Sequence, residues 1–202
     1  YQTLADENKE KARYEKNYQQ YADLPVPQIR KLSMDVKLYP ELRKVAVDAD
    51  IVLINSTAKE ITRFLVSLPY YTPKHFTLNV DGGKLSKNKG ELNTYWFEFE
   101  HPLKPGEQRT GTYQITRQHD GFVDNNSNGS EVEIVNNGTF FEGFALLPIY
   151  GYNQSFGLVD PLVRKKLALA PPKRVHRLEE SAFYKQNDKG ADVGFIDFEA
   201  TV

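Results

Sequence analysis

Apolar and polar positions change their period twice along the chain. From Thr3 to Ala22 there is no Gly or Pro, and Glu, Lys, Gln and Ala dominate. Tyr14, Tyr18 and Tyr21 fall on one face at helical spacing. Glu7 with Lys11, and Lys11 with Glu15, stand four apart, the spacing of helix-supporting ion pairs. The spacing predicts a helix over 3–22, ended by Leu24-Pro25-Val26-Pro27. The tyrosine stripe is read as a docking face; the competing reading is a stalk that continues a membrane helix.

From Ile29 the period becomes two. Leu32, Met34, Val36 and Leu38 share one parity, and Val45, Val47, Ala49, Ile51 and Leu53 share another. Both runs read as half-buried strands, separated by a turn at Tyr39-Pro40-Glu41. Further strands are predicted at 63–67, 76–80, 94–99, 111–116 and 132–135, with another within 139–146. Asp81-Gly82-Gly83 and Lys104-Pro105-Gly106-Glu107 supply turns between them. Asp160-Pro161 reads as an N-cap with Pro at the first helical position, opening a short helix to about Ala168. A second short helix is predicted at 177–186. Ile196, Phe198, Ala200 and Val202 then alternate with Asp197, Glu199 and Thr201. The fold class expected is mainly β: an antiparallel β-sandwich or large bent sheet with an N-terminal helix and short C-terminal helices. Residues 1–24 form a helical lead segment. Residues 25–202 form an antiparallel β-rich domain with a helical insertion near 160–186.

Composition narrows the function classes. Apolar residues make up 40% and charged residues 26%, which fits a packed domain rather than disorder. A formal net charge of -1 leaves no electrostatic footprint for nucleic acid. No apolar run approaches the roughly 20 residues that span a bilayer, so direct membrane insertion is not expected. Residues 1–20 are too polar for a signal peptide. The chain opens at Tyr1 rather than Met and is expected to be a segment of a longer polypeptide. With no cysteine there is no disulfide, thiolate zinc site or cysteine nucleophile.

Candidate chemistry is thin. The histidines are His75, His101, His119 and His176, none within helical-turn reach of another, as a hydrolytic zinc pair requires. There is no Gly-x-Ser-x-Gly elbow and no phosphate loop after Gly82-Gly83. Glu179-Glu180 reads as a solvated face. Asp124-Asn125-Asn126-Ser127-Asn128-Gly129 opens like a calcium loop, but its twelfth position is Val135 rather than Glu. Glu131 and Glu133 offer carboxylates only in another geometry, so 124–131 is read as a polar loop. Asn-x-Ser/Thr sequons begin at Asn55, Asn125, Asn128, Asn137 and Asn153; in a eukaryotic secreted protein they would suggest glycans, and the resemblance described below favours reading them as incidental. No catalytic, cofactor-binding or metal residue is assigned. The alternative to a non-catalytic role is a peptide- or carbohydrate-binding module. It would use residues 119–131 and an aromatic platform of Phe140, Phe141, Phe144, Tyr150, Tyr152 and Phe156; the favoured reading of these aromatics is core, or a face toward a further domain.

Several strings occur in a telling order: KLYPELRKVAVDADIVLINST at 37–57, HPLKPGE at 101–107, NGTFF at 137–141 and LPIYGY at 147–152, then Arg164 and Leu167. Together they resemble the extracytoplasmic region of bacterial membrane proteins that fuse an ABC-type permease to an aminopeptidase N-like zinc metallopeptidase module. The resemblance spans roughly 25–202. It implies an N-terminal β-domain that precedes a thermolysin-like catalytic domain and helps wall its cleft. The family's His-Glu-x-x-His helix and downstream Glu are not in this chain and are expected beyond Val202, with zinc held there. The implied partners are that downstream peptidase-like domain and the permease segments of the same polypeptide. The implied location is the periplasmic side of a bacterial inner membrane.

Overall fold

A computed structural model describes residues 3–68, 74–118, 132–135, 138–141, 146–171, 179–181 and 195–202. The chain folds mainly as β-structure in a sandwich of two sheets, with a helix at the N-terminus.

Helix α1 runs Leu4–Tyr18 and continues as a single 3-10 turn, Gln19–Tyr21. Thr3 caps it: its hydroxyl accepts from the Asp6 amide, and the Asp6 carboxylate returns a bond to the Thr3 backbone. The strands that follow are β1 Gln28–Tyr39, β2 Lys44–Ile54, β3 Ile61–Ser67, β4 His75–Val80, β5 Gly83–Leu85, β6 Thr94–Leu103 and β7 Gln108–Gln118. Then come β8 Val132–Val135, β9 Gly138–Phe141, β10 Ile149–Tyr150, helix α2 Pro161–Lys166 and β11 Asp197–Thr201.

The first sheet has the order β11-β1-β2-β7-β4, and the second β10-β3-β6-β5; β8 and β9 form a separate hairpin. The chain stays in one sheet from β1 to β2 and from β5 to β6, and switches sheets from β2 to β3, from β3 to β4, from β4 to β5 and from β6 to β7. Lys104-Pro105-Gly106-Glu107 makes the last of these turns. Gly106 takes φ 77°, a left-handed conformation that favours glycine. Period-two patterning fills the space between the sheets. Leu32, Val47, Ile51, Leu53 and Ile115 come from the first sheet and Phe64, Val66, Phe97 and Leu103 from the second. Phe64, Phe97 and Phe99 meet with ring centroids 5.2–5.9 Å apart.

Parity then puts Leu65, Ser67, Thr94 and Trp96 on the opposite face of the second sheet. Leu65, Ser67 and Thr94 are nonetheless buried, because α1 lies over them. Tyr14 is fully buried, and Tyr21 packs edge-on against Trp96 at 4.9 Å. The tyrosine stripe is therefore a docking face.

Some expectations needed adjustment. Strands β5 and β10 were not anticipated, being three and two residues long, too short to show a period. Among the described residues all ladders are antiparallel except one: β11 pairs with β1 in parallel, Leu32 opposite Phe198. The helix predicted from Asp160-Pro161 is present as α2, with Asp160 Oδ1 accepting from the Leu162 and Val163 amides at 2.7 and 3.0 Å. The segment predicted as helix at 177–186 lies outside the described residues, apart from 179–181.

Candidate functional site

The residues that suggested chemistry do not converge. His75 and His101 are both exposed, one on β4 of the first sheet and the other on β6 of the second. His119, His176 and the loop 124–131 lie outside the described residues, as do Asn125, Asn128, Asn137 and Phe144. Among the described residues, no three His, Cys, Asp or Glu side chains are grouped to hold a metal ion.

For the residues described, the aromatics of the alternative reading are not gathered into a platform. Tyr150 is buried in the core against Phe64, at 5.3 Å. Tyr152 stacks on Tyr14 at 5.4 Å, and Phe156 meets the same Tyr14 ring edge-on at 5.6 Å. Phe140 is exposed. The physical reason is α1: its tyrosine stripe needs an apolar seat, and 152–156 supply one side of it.

The outer face of the first sheet carries two open depressions. One, of about 460 Å³, lies among Lys31, Ser33, Asp50, Asn79, Asp81 and Thr110. The other, of about 540 Å³, lies among Asp35, Asp48, Thr112 and Gln114. Lys37 Nζ bridges Asp35 and Asp48 at 3.2 and 3.1 Å, and Gln114 Nε2 donates to Asp48 at 2.7 Å. The Lys37 and Gln114 hydrogen bonds hold the Asp48 carboxyl below its usual range, and the two aspartates raise Lys37. An ionised, ion-paired aspartate accepts hydrogen bonds but has no proton to give near neutral pH. This face can contact polar groups; it assembles no nucleophile, base and orienter.

Two constellations stand out instead, and both are buried and satisfied. The first joins α1 to the segment around α2. Glu15 and Arg164 form a two-pronged pair at 2.6 and 2.8 Å, with side chains 6% and 4% exposed. Arg164 also donates to the carbonyls of Leu158 and Ala170. Lys16 Nζ adds a bond to Leu167 O at 2.8 Å. The expected Lys11–Glu15 pair does not form because Glu15 turns inward to Arg164; Glu7 takes Lys11 at 2.6 Å.

The second constellation surrounds Asn55. Its amide nitrogen donates to the carbonyls of Lys59 and Leu103, each at 2.8 Å, and its oxygen accepts from the Thr57 amide and hydroxyl. Its backbone pairs with Gly106 and Glu107. Asn55 is fully buried, so this sequon is a structural motif with no room for a glycan. Asn153 likewise caps the 3-10 turn Gln154–Phe156 through Ser155. Sequence reasoning missed both roles. The usable signal was Asn-x-Thr at a strand end, a pattern in which the side chain bonds the backbone two residues on.

No protein-family profile matches the chain, and no curated protein matches it. Among solved structures it is similar to an M1 zinc metallopeptidase from Deinococcus radiodurans bound to a Tyr-Ser-Ala substrate. That match has 9% identity, TM-score 0.43, and covers 63% of this chain and 30% of the other. A second M1 zinc metallopeptidase structure from the same organism gives 10% identity and TM-score 0.38 over 57% and 25% of the two chains. A structure described as a CBM of Ruminiclostridium thermocellum gives 14% identity and TM-score 0.25, covering 60% of this chain and 99% of that one. The chain spans under a third of the metallopeptidase chains it matches. With scores this low, neither family nor activity is assigned from these likenesses.

Proposed function

We propose that this chain is a non-catalytic accessory β-domain of a membrane-anchored, aminopeptidase-like protein of the zinc metallopeptidase family. In this reading it scaffolds or covers a downstream peptidase domain and belongs to the same polypeptide as permease segments. Its place is the periplasmic side of a bacterial inner membrane, and any zinc is held by the downstream domain.

The observation that supports this reading is where the resemblance-bearing strings lie. The Asn55 end of KLYPELRKVAVDADIVLINST and the turn of HPLKPGE meet in one knot, Asn55 bonding Leu103, Gly106 and Glu107. LPIYGY places Tyr150 in the core, bonds the Gly151 amide to Leu65 O and stacks Tyr152 on Tyr14. Arg164 locks α1. Each of these residues holds architecture, and none offers a free reactive group. The binding-module alternative draws no support from Tyr150, Tyr152 or Phe156, which are committed to packing.

The test uses the purified chain with aminoacyl-p-nitroanilide substrates and elemental analysis for zinc. The expected result is no hydrolysis above buffer and no stoichiometric zinc. Hydrolysis or one bound zinc per chain in a clean preparation overturns the proposal.

A further inference from the structure

Strand β11 is the one strand of the first sheet with every residue exposed, on both faces. Its partner β1 pairs with one side of it, and among the described residues no strand pairs with the other. Register places Phe198 beside Leu32 and Ala200 beside Met34, so this row continues the core-facing side of the sheet. Yet Phe198 is 56% exposed, while Leu32 is fully buried. The opposite edge strand, β4, differs: its inward Leu78 and Val80 are covered. β11 has no proline, no lysine and no charge in its inward row; its charges, Asp197 and Glu199, are confined to the other row.

The other row is acidic. Asp197 and Glu199 point to the outer face, and the row through Glu199 continues as Ser33 and then Asp50. The row through Thr201 continues as Asp35 and Asp48, which already share Lys37. Among the described residues neither Glu199 nor Asp50 pairs with a cation. A second copy is a poor occupant of the whole strand: antiparallel two-fold pairing centred on Glu199 sets it against itself, and pairing centred on Phe198 sets Asp197 against Glu199, while the register centred on Ala200 leaves Asp197 outside the ladder. Like charges directly opposite each other destabilise a ladder.

We propose that β11 is an acceptor edge for a strand of another protein segment, one with an apolar row beside Phe198 and a basic row beside Glu199. Main-chain bonding supplies the affinity, and the alternating rows fix register and face. The inference is independent of the peptidase and zinc assay above, since it is read from strand addition and not from activity.

The test uses a blocked, fluorescently labelled peptide of alternating lysine and valine, with a glutamate–valine peptide of equal length as comparator. Binding is followed by anisotropy, and backbone amide exchange locates it. The lysine–valine peptide is expected to bind about tenfold or more tightly than the comparator, from two favourable cross-strand charge contacts, and to protect amides of β11. Phe198→Glu removes the apolar seat and abolishes binding with thermal unfolding unchanged. Glu199→Lys, a milder surface change, narrows or reverses the preference between the peptides. Equal binding of both peptides, no binding of either, or protection confined elsewhere overturns the proposal. Concentration-dependent dimerisation that protects β11 without peptide binding also overturns it, by making a second copy the occupant.

Discussion

Replacing Glu15 by Ala leaves the Arg164 guanidinium buried with only carbonyl partners. The carbonyls of Leu158 and Ala170 still accept from it, but no countercharge remains. Breaking a buried pair from one side costs about 3–5 kcal/mol, and the two surviving carbonyl contacts place this case near the lower end. The loss has a ceiling. Once it exceeds the energy that docks α1, the helix lifts and Arg164 reaches water. Two readings follow from one variant: urea denaturation loses about 3 kcal/mol, and amides of α1 exchange far faster than those of β2 or β7. Glu15→Gln keeps a hydrogen-bond acceptor without the charge and loses roughly half as much. Glu15→Leu combined with Arg164→Met recovers part of the loss: apolar side chains of similar bulk need no solvation, but the Leu158 and Ala170 carbonyls lose their donor. Retained stability within about 1 kcal/mol and unchanged protection of α1 in Glu15→Ala would refute the reasoning. The pair would then be incidental to helix docking.

Three further outcomes are expected. Asn55→Ala strips the Lys59 and Leu103 carbonyls and the Thr57 amide of their partner, with a loss of about 2–3 kcal/mol in chemical denaturation; Asn55→Asp is no better, since a carboxylate cannot donate to carbonyls. Tyr113 is fully buried with no partner for its hydroxyl among the described residues, and burial raises that hydroxyl's pKa. Tyr113→Phe therefore leaves stability unchanged or raises it by up to about 1 kcal/mol, and a clear loss would reveal a buried partner such as a water. Burial also pushes the Tyr14 hydroxyl up to about 12, so the folded state holds that proton more tightly than the unfolded one. Its contribution is complete below pH about 10 and is lost as pH rises through about 12, by on the order of 3 kcal/mol. Tyrosinate absorbance should show a late-titrating component, to which the buried Tyr113 and Tyr152 also contribute, and Tyr14→Phe should diminish it by about one tyrosine.

Much of the fold was legible because it rests on period. The rows Leu32 to Leu38 and Val45 to Leu53 face the core as their parity required, with only Leu38 partly buried. The α2 cap at Asp160-Pro161 followed from local backbone chemistry, and the Lys104–Glu107 turn did too. What escaped was set by partners distant in sequence. Lys11 stands at ideal spacing from Glu15, yet Arg164 takes it from far along the chain, because a two-pronged buried guanidinium outweighs an exposed pair worth a few tenths of a kcal/mol. Tyr150, Tyr152 and Phe156 are favoured as packing by the sequence, but only the seating of α1 shows that Tyr152 and Phe156 pack against Tyr14.

The same limit applies to β11, whose alternation was legible while its surroundings were not. Parity says which row of a strand is apolar; it does not say whether a second layer lies opposite that row. That depends on strand order. Among the described residues the first sheet has five strands and the second four, one of which, β10, is only two residues long. The parallel pairing with β1 sends β11 to the outer edge of the longer sheet. Phe198 thus carries on the core-facing row of Leu32 where little of the facing sheet remains to cover it. Moving the apolar row to the other parity would test whether the overhang matters. Exchanging Phe198 with Glu199 keeps composition and β-propensity but sets a carboxylate beside Leu32 and an aromatic ring on the polar face. If the edge only frays in solvent, stability and peptide binding stay the same. If it receives a strand, the lysine–valine peptide loses its register and its affinity together.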